Sequence, residues 1–91
     1  MTYMLVRNRV ADFDRWMSVV DSTAEGREAA GLRLVNLWRS IDEPNNIFFL
    51  LEVESIEKAE EFVNQPESAQ AKEESGVIDG EYHYVESVLG K

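Results

Sequence analysis

Asp42-Glu43-Pro44-Asn45-Asn46, followed at once by Ile47-Phe48-Phe49-Leu50-Leu51, divides this 91-residue chain into two halves built on one plan. The first five residues favour a turn; the next five are apolar at consecutive positions, which predicts a strand covered on both faces. Upstream, residues 3–10 alternate apolar Met4, Val6 and Val10 with Arg7 and Arg9, the period of a strand. Asn8 is the odd polar member of the apolar face. Asp12 stands where an N-cap belongs, before a helix whose apolar stripe runs through Phe13, Trp16, Met17, Val20 and Ala24, and Gly31 closes it. Residues 32–40 form a second strand that ends at the turn.

Downstream, residues 47–54 form a third strand, close enough to the second for a hairpin. Ser55 or a neighbour starts another helix with Ile56, Ala59, Phe62 and Val63 on its inner side. Pro66 breaks or restarts that helix before residues 67–75, and Gly76 stops it. After a connection at Val77-Ile78-Asp79-Gly80, residues 81–89 carry Tyr82, Tyr84, Val85 and Val88 and read as the last strand. The order βαββαβ predicts an α+β, ferredoxin-like domain spanning residues 1–91, a four-stranded antiparallel sheet with two helices on one face. Its other face is bare. Because the third strand is apolar on both sides, a second copy is expected to cover that face, sheet against sheet, in a homodimer.

Composition limits the chemistry. There is no cysteine and one histidine, so a disulfide framework, a thiolate metal site and an imidazole-rich metal site are all excluded. No signal-peptide pattern and no apolar run long enough to span a bilayer is present, which predicts a soluble, cytoplasmic protein. The net charge of −9 is uneven: residues 1–40 hold six Arg against five acids, whereas in residues 41–81 twelve acids face only Lys58 and Lys72. Nucleic acid and anionic membrane need clustered positive charge and are not expected partners. The acidic half reads as a solvated face.

Over nearly its whole length the sequence resembles the dimeric α+β barrel proteins of the antibiotic biosynthesis monooxygenase-like superfamily, and among them the small, functionally undefined members. The resemblance lies in the run from Leu5 through Val6-Arg7-Asn8-Arg9-Val10-Ala11-Asp12-Phe13-Asp14-Arg15 to Trp16, in Asp42-Glu43-Pro44-Asn45 with the Arg39 before it, in Leu50-Leu51-Glu52, and in the last strand from Tyr82 to Val88. The superfamily includes cofactor-independent oxygenases, haem-degrading oxygenases, polyketide cyclases, isomerases and proteins with no known reaction. The resemblance implies histidines at the positions of Asn8 and Thr23, and this chain has neither. It also implies, for haem use, an asparagine on the first strand and a histidine ligand before the last strand. Asn8 matches, but His83 lies on the last strand itself, so no cofactor is expected.

The candidate site residues each have a second, structural reading. His83 is the one side chain that ordinarily titrates near neutrality, and it is either a catalytic base or an interface histidine. It alternates with Tyr82 and Tyr84, so it faces away from them. Asn8 needs a partner on an apolar face, whether a ligand, a helix terminus or water. Arg27 continues the helical stripe and either holds a carboxylate or phenolate or packs its stem with its head in water. Phe13 belongs to a ring-stacking pocket wall or to the core, and Trp38 to the pocket or the dimer interface. Together they are read as a small-molecule-binding dimer, for which the resemblance implies a cofactor-independent monooxygenase acting on an aromatic phenol or quinol. Asn8 and His83 would be catalytic, with Phe13, Arg27 and Trp38 binding the substrate. The alternative is a non-catalytic binding or structural dimer with a residual pocket.

Overall fold

The computed structural model describes residues 1–89. Its elements are β1 (Thr2–Val10), α1 (Phe13–Ser22), α2 (Ala24–Ala29), β2 (Leu32–Arg39), β3 (Asn46–Val53), α3 (Ile56–Val63), α4 (Pro66–Glu74) and β4 (Val77–Glu86). The strands form one antiparallel sheet in the order β2-β3-β1-β4, the ferredoxin-like topology expected from the order of elements. No described helix is long and apolar enough to cross a membrane.

The local signals explain the boundaries. Asp12 caps α1 by accepting from the Asp14 amide at 3.1 Å, and Ser55 caps α3 by accepting from the Lys58 amide at 3.3 Å. Pro66 opens α4 at a position where its missing N–H costs nothing. Gly31 and Gly76 follow the last helix of each half with φ of 77°, a left-handed conformation that turns the chain into the next strand. Each expected helix is a pair. The first divides at Thr23, whose hydroxyl donates back to the Val19 carbonyl at 2.8 Å, and the second divides ahead of Pro66.

The last strand begins at Val77 rather than at Glu81, so the expected connection is part of β4. Val77 pairs with Val10 across a bulge, and Asp79 and Gly80 pair with Arg9 and Asn8. β-branched Val77 and Ile78 suit a strand, and Arg9 draws Asp79 into the ladder through an ion pair.

Met4, Leu32, Leu51, Val53 and Ala59 form one core cluster, and Val10, Trp16 and Ile47 another, all between the sheet and the helices. The opposite face has no covering element among the described residues. On it Leu5, Val35, Trp38 and Val85 are 37–45% exposed, beside half-buried Phe48 and Leu50. That face is an apolar patch rimmed by charge.

Candidate functional site

A cavity of about 660 Å³ lies between the sheet and the helical layer, a volume typical of small-molecule sites. Its floor is Val6, Asn8, Leu34, Leu37 and Phe49, and α1 contributes Trp16, Val19 and Val20. The cavity exists because α4 cannot fill it. That helix presents Ser68, Ala69, Ala71 and Lys72, and short side chains leave the space beneath them open.

Several polar residues interrupt this largely apolar lining, Ser68, Lys72, Ser75, Glu81 and Tyr82 among them. Asn8, Thr23 and Arg27 also line the cavity. Asn8 leans over Gly80, its partner on β4, where the absence of a Cβ makes room for the amide. Arg27 Nη1 donates to the Val20 carbonyl oxygen at 2.9 Å and to Thr23 Oγ1 at 3.0 Å. Half-burial pulls the guanidinium's pKa below its ordinary value, partly offset by Glu28 and Asp21, yet an arginine this far above neutrality stays charged. Among the described residues Arg27 makes no ion pair.

Several solved structures share this fold. A protein of Bordetella bronchiseptica proposed to be an antibiotic biosynthesis monooxygenase superposes with a TM-score of 0.80, over 97% of both chains, at 16% identity. The chain shares that protein's fold. A Deinococcus radiodurans protein proposed to have the same role is similar at a TM-score of 0.68, over 96% of this chain and 92% of that one, at 13% identity. A NIPSNAP family protein of unknown function from Agrobacterium tumefaciens matches at 0.73, over 96% and 87%, at 16% identity. No protein-family profile matches the sequence, and no curated protein does.

On this fold, the five expected site residues divide between two faces. Asn8 and Arg27 meet at the cavity, and Thr23, where the resemblance implies a histidine, joins them. Phe13 packs behind the cavity against the Val10, Trp16 and Ile47 cluster. Its ring lies 6.1 Å from that of Trp16 and 4.1 Å from the Arg39 guanidinium carbon.

His83 and Trp38 are on the other face. His83 pairs with Leu5 on β1 and meets Glu81 Oε2 at 2.8 Å through Nε2. It therefore cannot act in the cavity of its own chain. Trp38 is turned away by a bulge. Leu34 pairs with Leu51 but Asn36 pairs with Leu50, so one extra residue at Val35 reverses the facing of all that follows. Leu37 takes the place on the cavity floor that simple alternation would assign to its neighbours.

A further polar cluster was not anticipated from the sequence. Glu60 Oε2 on α3 accepts from Tyr84 at 2.5 Å and Tyr82 at 3.1 Å, whose rings meet edge to face at 5.9 Å. Burial raises both phenol pKa values, and the hydrogen bond to Glu60 raises them further. The signal available was Glu60 beside the inner Ala59, together with two tyrosines at strand spacing. The cluster ties α3 to the edge strand at the cavity's side, where Tyr82 is part of the lining.

Proposed function

We propose that the protein binds a small aromatic molecule in the cavity between sheet and helices, and that it oxidises an electron-rich phenol or quinol without a bound cofactor. The observation that supports this most is that Asn8, Thr23 and Arg27 all line a largely apolar hollow, a donor set that a phenol can use. Asn8 orients the hydroxyl. Arg27 favours its ionised form, because a nearby cation lowers a phenol's pKa. The phenolate then reduces dioxygen directly: one oxygen atom enters the ring, the other leaves as water, and the substrate supplies the electrons, so a phenol gives a quinone and a quinol gives a hydroxyquinone.

Two copies are proposed to pack through the open sheet face, burying Leu5, Trp38 and Val85 against their equivalents. His83 and its Glu81 partner lie on that interface.

A second reading is favoured by one observation: the single imidazole is on the face away from the cavity, so no imidazole base lines it. On that reading the protein binds without reacting. Titration with 1-naphthol by calorimetry, followed by oxygen consumption with a naphthohydroquinone, separates the cases. Binding with oxygen uptake above spontaneous oxidation, reduced in Asn8→Ala, supports the oxidase reading; binding with background uptake supports the second. An absence of binding overturns both.

A further inference from the structure

Resting on the ligand-binding reading above, we propose that the cavity selects an acid: an apolar, aromatic body carrying one permanent carboxylate, which Arg27 anchors. The first argument is charge. The chain carries a net −9, and its 41–81 segment is strongly acidic, yet the two cations on the cavity wall are Arg27 and Lys72, neither of them in an ion pair among the described residues. Four other cations found acids, Arg7 and Arg9 holding Asp79, Arg33 holding Glu52 and Lys58 holding Glu54, whereas Arg15 and Arg39 are spent on the backbone carbonyls of Glu74 and Pro44. Arg27 and Lys72 are thus left at the hollow without a direct carboxylate contact among the described residues, although Glu81 also lines it.

The second argument is the state of the guanidinium. Its hydrogen bonds within the chain use Nη1 alone, to a carbonyl and a hydroxyl. The donors on Nε and Nη2 have no protein acceptor among the described residues, and that edge is the one a carboxylate grips with two parallel bonds. Half-burial makes the cation costly, Glu28 and Asp21 offset that cost only in part, and a carboxylate in direct contact offsets more of it.

Place in the fold supplies the third. A second hollow, of about 820 Å³, opens between α2, α3 and α4 and shares Thr23, Arg27, Phe62, Ser68 and Ala71 with the cavity. Arg27 therefore stands on the partition between outside and inside. A ligand passing inward with its ring first leaves its carboxylate at Arg27. The outer hollow is bordered by Glu25, Glu61 and Glu67, against Lys58, so it disfavours a multiply charged group such as a phosphate ester.

The test is a matched pair, 1-naphthol and 1-hydroxy-2-naphthoic acid, titrated into the full chain at neutral pH and low salt by calorimetry. The acid is expected to bind roughly tenfold tighter or more, as a charge-assisted bidentate contact gives. Arg27→Gln is expected to bring the two ligands within about twofold of each other, while Arg27→Lys keeps part of the preference, a difference a bidentate anchor predicts. Circular dichroism confirms that each variant is folded, and the wild-type comparison stands whether or not they are. Equal binding, or a preference for the naphthol, overturns the acid proposal and leaves the ligand-binding reading intact. So does a full preference surviving in Arg27→Gln. If neither compound binds, the ligand-binding reading itself fails, and the acid proposal with it.

Discussion

Gly80 on β4 stands directly across from Asn8 on β1, and a Cβ at position 80 would collide with Asn8 Oδ1 while lying 2.7 Å from the Arg7 carbonyl oxygen. The glycine is what lets a polar amide occupy the cavity floor. Gly80→Ala is expected to lower stability by about 1–3 kcal/mol, the usual cost of overpacking. Adding Asn8→Ala removes the collision with the amide but not the one with the backbone, so the double variant recovers only part of the loss. Urea unfolding of the three variants checks this; full recovery would mean the Arg7 carbonyl contact yields freely.

The Glu60 cluster has an alkaline signature. Tyr82 and Tyr84 have folded pKa values raised above the ordinary value of about 10, so the fold favours their protonated forms. Their contribution to stability is fully present below about pH 10 and is lost as pH rises through the raised values. Glu60→Gln should bring the phenols part of the way back, since burial is the larger cause and remains. Ultraviolet titration of tyrosinate in wild type and variant reads the shift.

At the acid end the sign reverses. The Glu81 carboxyl is held below the usual carboxylate range, first by its hydrogen bond with His83 and then by that with Arg7. Its contribution is present above the ordinary carboxylate pKa and is lost as pH falls through the depressed value. The carboxylate lies at the surface, where solvent screens it, so the effect is small. Thermal melts across the acid range should fall slightly more steeply for wild type than for Glu81→Gln.

Leu5 lies in the strand next to β3 on the open face, opposite Leu50 and His83. Leu5→Lys is expected to separate the proposed dimer into monomers, because it places like charges on a buried apolar contact related to itself by symmetry. Light scattering after gel filtration measures the mass. A dimer that survives the substitution would place the interface elsewhere.

The fold was legible because its punctuation is local. Asp12, Ser55, Pro66, Gly31 and Gly76 each act on the backbone within a residue or two of themselves, and all sit where their chemistry places them. Asn8 was legible as the polar exception on an apolar face, and the opposed facing of His83 and the tyrosines followed from alternation. Trp38 was not, because the bulge at Val35 depends on pairing with β3, which no pattern inside β2 reveals. Glu60 and Lys72 were hidden for another reason. The significance of Glu60 comes from Tyr82 and Tyr84 on β4 and that of Lys72 from the cavity it lines, and in an acidic, helical stretch a glutamate or lysine looks like solvated surface.

The central claim is that the hollow under α4, and not the open sheet face, is the ligand site. Amide chemical-shift mapping of the isotopically labelled full chain during titration with 1-naphthol tests it most directly. The account predicts that the shifts concentrate at Val6, Asn8, Thr23, Leu37 and Gly80 around the cavity. Shifts confined to Leu5, Trp38 and His83 on the opposite face, or no shifts at all, would contradict it.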